Sequence, residues 1–164
     1  MKKRFIPLLL ISLLLSACGF HLRGMIDVPK WLTNVAISSK SNDLEFVSML
    51  KSTLEGYHIE VNPEPALAHY WLIINHVTYQ RQIVSVGAST NPRQYQLTLS
   101  VGYMLQTRKG QIIKASRQVS VSRQLTVNND RILGSNDEET ILINEMRQEA
   151  VVQLINRLGS VKLD

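Results

Sequence analysis

The sequence predicts an α+β domain: a two-layer sandwich with two helices packed on one face of a mainly antiparallel sheet, in the order β-α-β-β-β-β-α. Three patterns predict it. Tyr95, Leu97, Leu99, Val101, Tyr103 and Leu105 alternate without a miss against polar neighbours, and Val119, Val121, Leu125 and Val127 repeat the alternation after a turn. A period of two is the signature of a half-buried strand. Leu142, Met146, Ala150, Leu154 and Leu158 recur every four residues, which is the apolar stripe of a helix. A one-faced sheet and an amphipathic helix each need cover for the apolar side, and two layers supply it.

The elements follow in chain order. Val35 to Ser39 is a short strand candidate. Asn42 with Glu45 three residues later has capping-box spacing, and Leu44, Val47, Leu50 and Leu54 then give one apolar face to about Glu55, with Gly56 as the stop. Tyr57 to Val61 reads as a second strand, broken by Asn62-Pro63-Glu64-Pro65. Tyr70 to about Val86 is β-rich, and Gly87 to Pro92 reads as a loop. The two alternating strands meet at Arg108-Lys109-Gly110, a hairpin connection. Ser135 and Glu138 have the spacing of a capping box for the last helix, which Gly159 ends.

Before this body comes a different kind of sequence. Lys2, Lys3 and Arg4 precede an apolar run from Phe5 to Leu15, too short to span a bilayer, and then Leu15-Ser16-Ala17-Cys18-Gly19. Small residues before a cysteine fit a bacterial lipobox, in which cleavage leaves Cys18 first and acylated with chains such as palmitate. The expected organisation is a signal peptide at 1–17, a lipidated tether at 18–30 and one domain at 31–164. Two or more acyl chains make a durable anchor where one is marginal. Cys18 is the only cysteine, so lipidation leaves no thiol for disulfides or thiolate sites.

Charge is distributed unevenly. Without the leader the chain keeps 15 basic and 13 acidic residues, so the pI near 9.5 overstates its basicity. Between Ala66 and Asn129 stand Arg81, Arg93, Arg108, Lys109, Lys114, Arg117 and Arg123, with no Asp or Glu. A one-signed stretch of this length predicts a positive field that attracts a polyanion. Export excludes nucleic acid as the partner and favours anionic lipid or phosphorylated glycolipid; a solubilising basic surface is the other reading. The outward face of the two best strands is Gln, Ser and Thr, suited either to packing on another polar surface or to hydration. Trp31 and the pair Tyr70-Trp71 fit core burial or an interface.

No catalytic set emerges. His69 and His76 are seven apart in or beside a strand, and an odd offset sends them to opposite faces. Ser89 lacks the second glycine of a nucleophile elbow, and no Gly-rich phosphate loop is present. Glu138 and Glu139 open a helix, where negative charge is favourable for dipole reasons. No metal, no cofactor beyond the lipid on Cys18 and no enzymatic activity are expected.

Cys18-Gly19-Phe20-His21-Leu22-Arg23-Gly24, followed by Val28-Pro29, resembles the start of mature lipopolysaccharide-assembly lipoproteins of the LptE family. Gln94-Tyr95-Gln96-Leu97, Glu145-Met146, Gln153-Leu154-Ile155 and Leu158 are similar too, and the likeness runs in segment order over the mature chain. The resemblance implies an outer-membrane lipoprotein that plugs the LptD β-barrel, supports its assembly and binds lipopolysaccharide. Gly19, where an aspartate marks inner-membrane retention in many Gram-negative bacteria, fits outer-membrane sorting. At the two loop positions where the resemblance puts basic contacts to lipopolysaccharide, this chain has Ala88 and Ser135. Arg93 and Arg131 lie nearby and are the first ligand-binding candidates, with Arg117 and Arg123 beside them. The alternative is a free-standing envelope lipoprotein binding an anionic lipid or glycolipid; a hydrolase acting through Ser89, His69 or His76 is a distant third.

Overall fold

A computed structural model describes residues 28–86, 92–127 and 132–160. The leader, Cys18, the Gly87–Asn91 loop and Arg131 lie outside those residues. The elements run β1 (Asn34–Ser39), α1 (Leu44–Gly56), β2 (Glu60–Val61), a single 3₁₀ turn (Pro65–Leu67), β3 (Tyr70–Val86), β4 (Pro92–Thr107), β5 (Ile112–Thr126) and α2 (Ile132–Gly159). The sheet order is β2-β1-β3-β4-β5; β1 is parallel to both its neighbours, and β3, β4 and β5 are antiparallel. The α+β sandwich read from the sequence is the architecture found.

One core lies between the sheet and the helices. The alternating residues Leu97, Leu99, Val101, Tyr103 and Leu105 of β4 are buried, flanked by Leu72 and Ile74 of β3 and by Val119, Val121 and Leu125 of β5. α2 lies against β5 and β4 and presents Met146, Ala150, Leu154 and Leu158, the stripe of four-residue spacing. It also packs against α1. Before β1, Val28 packs against the core, and Leu32, buried, donates its N–H to the Pro29 carbonyl at 3.0 Å.

Four local expectations are corrected. α1 is capped by Asp43 rather than Asn42: its Oδ1 accepts the Phe46 N–H at 2.9 Å. The buried row of α1 is accordingly Phe46, Leu50 and Leu54, while Leu44, placed on the apolar face by the sequence, is 77% exposed. The helix ends at Gly56, as the sequence predicts, and the left-handed residue that completes its closure is His58. His58 has φ 63°, and the Ile59 N–H reaches back to the Leu54 carbonyl at 3.1 Å. That six-residue closure leaves β2 only two residues of strand instead of five. Finally, α2 starts at Ile132, so Ser135 lies within the helix instead of capping it; a helix tolerates the interior Gly134 at a cost of about 1 kcal/mol.

Candidate functional site

The helices cover one face of the sheet and leave the other open. Register decides what projects from it. Gly102, Ser100, Thr98 and Gln96 of β4 stand opposite His76, Thr78, Gln80 and Gln82 of β3, and opposite Gln118, Ser120, Ser122 and Gln124 of β5. These positions alternate with the buried ones, so they share the outward face. Apart from Arg93, whose side chain lies outside the described residues, the Lys and Arg residues of these three strands pair in register with buried, helix-side residues. Arg81 and Arg123 both stand beside Leu97, Arg117 beside Tyr103 and Lys114 beside Leu105.

The open face is instead tied by hydroxyls. Thr98 Oγ1 and Ser122 Oγ are 3.1 Å apart, and Ser100 Oγ and Ser120 Oγ are 3.0 Å apart. Cross-strand hydroxyl pairs of this kind stabilise a sheet while keeping its surface neutral. The Asn75 side chain at the β3 bulge donates to Ser116 Oγ at 3.2 Å. His76 lies flat over Gly102: a Cβ added there would sit 2.2 Å from its Cε1.

The basic residues have other partners. Arg81 Nη1 donates to Glu139 Oε2 at 2.9 Å, and its guanidinium lies 3.8 Å above the Tyr95 ring. Tyr79 donates its hydroxyl to Glu139 Oε1 at 2.7 Å. Burial first, then the hydrogen bond to Glu139 and that carboxylate's charge, push the Tyr79 phenol well above its ordinary range, against a smaller opposing pull from Arg81. Arg123 pairs with Glu149. Lys114 Nζ donates to the Arg157 carbonyl at 3.0 Å and so closes the C-terminal end of α2, where a cation is favoured. The one-signed field expected from the acid-free stretch is therefore reduced: Glu139 and Glu149 neutralise Arg81 and Arg123, two of its seven cations. The sequence separates these acids from the arginines, and helix docking brings them together. Because α2 begins at Ile132, Glu139 lies two turns inside the helix instead of opening it, and there it holds Arg81 and Tyr79.

The candidates divide accordingly. Arg123 is engaged, and Arg117 is exposed on the helix side of the edge strand. Arg93 belongs to β4, next to the β3–β4 connection, and its side chain lies outside the described residues, as do Cys18 and Arg131. The Tyr103 hydroxyl is buried with no hydrogen-bond partner among the described residues. Burial raises its pKa, opposed by Arg157 and Arg117. His69 and His76 are not brought together with a third ligand; among the described residues no group of three His, Cys, Asp or Glu gathers. Nor is any described helix long and apolar enough to cross a membrane. Trp31 and Tyr70 meet edge to face with centroids 5.1 Å apart, and Trp71 donates its indole N–H to the Pro65 carbonyl at 2.8 Å. The aromatics pack locally.

Comparison with known proteins agrees with this architecture. The chain is 26% identical over 163 residues to an LPS-assembly lipoprotein LptE of Photorhabdus laumondii, covering 98% of this chain and 88% of the relative. The fold matches the solution structure of an uncharacterized lipoprotein B from Nitrosomonas europaea with a TM-score of 0.73 at 21% identity, covering 87% of this chain and 91% of that one. It also matches the rare lipoprotein B of Shewanella oneidensis with a TM-score of 0.67 at 16% identity, over 77% and 94% of the two chains. The model of the lipopolysaccharide-assembly family LptE matches residues 32–158, from the buried Leu32 to the last buried residue of α2, so the chain belongs to that family and its role lies in lipopolysaccharide assembly.

Proposed function

We propose that this protein is an outer-membrane lipoprotein, acylated at Cys18, whose body plugs the lumen of the LptD β-barrel and binds lipopolysaccharide on its way to the cell surface. The observation that carries the reading is the neutral, hydroxyl-tied face of β3, β4 and β5. The interior of a large outer-membrane barrel is polar and hydrated. A rigid face of Gln, Ser and Thr meets such a wall without burying unpaired charge, which would cost several kcal/mol per ion. In the chain Arg93 adjoins the β3–β4 connection and Arg131 immediately precedes α2, and both supply charge-assisted pairing to phosphates of the glycolipid. Arg117 is the exposed alternative.

The test is extraction of the outer membrane in mild detergent with a C-terminally tagged chain. A stoichiometric barrel in the eluate supports the plug. A clean monomer from cells that express the barrel removes it and leaves a free-standing binder of an anionic envelope lipid. Arg93→Ala with Arg131→Ala separates ligand binding from assembly: weakened lipopolysaccharide capture with barrel copurification intact is the expected result.

A further inference from the structure

The two ends of the sheet differ. At one end lie the Val86–Pro92 pairing, where β3 leaves the sheet and β4 enters it, and the C-terminal end of β5. At the other, roughly 50 Å away along β4 at ~3.3 Å per residue, the chain enters β1 from Val28. Here the β4–β5 turn folds over the start of β3. The Arg108 N–H donates to the His69 carbonyl at 3.0 Å, the Arg108 Nη1 to the Ala66 carbonyl at 3.2 Å, and the Gln111 N–H to Thr107 Oγ1 at 3.1 Å. Gly110, at φ 85°, makes the turn tight. A cleft of about 200 Å³ opens between His69, Tyr70, Thr107, Arg108 and Lys109, with no carboxylate in its lining. Trp31 stands against Tyr70, and Lys30 is exposed beside it in the chain.

We propose that this end is a phosphate-recognising platform that rests on anionic phospholipid headgroups. Three observations meet there. Arg108 and Lys109 are exposed on a pinned turn, presenting donors of the kind that pair with phosphate. Trp31 and Tyr70 are half-buried aromatics with polar tips, the residue types that favour the boundary between water and lipid. The chain leads from here toward Cys18, ten residues before Val28, a distance of at most about 35 Å when fully extended. This last point rests on acylation of Cys18. The exposed Glu60 and Glu64 at the same end do not line the cleft. A basic residue beside an anionic surface is worth about fivefold in affinity, so Arg108 and Lys109 together contribute roughly 25-fold.

The test labels the amines of the purified mature lipoprotein in phosphatidylcholine vesicles with and without phosphatidylglycerol, read by peptide mass spectrometry. Lys30 and Lys109 are expected to be protected severalfold by phosphatidylglycerol and released by high salt, while Lys51 on α1 reacts equally throughout. In Arg108→Gln with Lys109→Gln, Lys30 loses its protection. Equal labelling of Lys30 and Lys109 in both vesicle types overturns the platform. Equal protection by inorganic phosphate alone overturns the assignment to a lipid surface. Intact mass reports separately on Cys18. If it carries no acyl chain, the anchor reading fails, and protection of the unacylated protein by excess phosphatidylglycerol vesicles still decides the platform either way.

Discussion

Tyr79 and Glu139 show how much one helix carboxylate organises. The phenol donates to the carboxylate that also holds Arg81, so the native state favours the neutral phenol. A phenol whose pKa is raised on folding contributes stability that is complete below the ordinary tyrosine value, near pH 10, and is lost as pH rises above it. Tyr79→Phe is expected to flatten the alkaline decline of Tm without abolishing it, because buried Tyr103 carries a shift of the same sign. Thermal melts of both chains across the alkaline range check this. Gly102 makes a second residue-scale case. A methyl group there collides with the His76 ring, so Gly102→Ala should cost about 1–3 kcal/mol and shift the His76 imidazole resonances, and His76→Ala in the same chain should recover most of the loss.

At the scale of elements, the termini of α1 decide more than its propensity. Asp43 caps the first turn and, through Oδ2, accepts from Arg147 Nε and Nη2 of α2 at 3.2 Å each. One side chain thus starts a helix and joins it to its neighbour. Asp43→Ala should cost about 1–2 kcal/mol by denaturant unfolding, of which the cap alone accounts for roughly 1. Its partner Arg147 also reaches Glu45, and neither pairing is visible in the sequence because 104 residues separate Asp43 from Arg147. At the other end, His58 holds a left-handed conformation that glycine adopts without strain, so His58→Gly should stabilise the chain by about 0.5–1 kcal/mol. Gly56 and Asn42 drew attention in the sequence because their residue types suit helix ends. The residues that do the work sit two positions after one and one position after the other.

For the molecule as a whole, the core is shared by all three long strands and both helices, so a single cavity is felt globally. Leu99 lies in the middle strand, 1% exposed, and Leu99→Ala should cost about 2–5 kcal/mol with one cooperative transition retained. The outward face behaves differently: breaking one of its hydroxyl pairs should cost no more than about 1 kcal/mol while testing what docks there. The layering was legible because burial imposes periodicity. Every inward position of β4 from Leu97 to Leu105 announces itself by alternation, and the stripe of α2 by its four-residue spacing. The family was legible too, from short motifs along the chain.

What the sequence determined by itself was the order of elements, the division of β4 and β5 into a wet and a dry face, and the neutrality of the wet one. Those properties are local, set by the alternation of side chains along one segment. Where the charges go was decided only by the tertiary structure. Seven basic residues in a stretch without an acid read as an open positive field, yet α2 docks on that stretch and lays Glu139 against Arg81 and Glu149 against Arg123. Electrostatic partners are chosen by distance through space, and the chain brings them together only when its helix closes over the sheet.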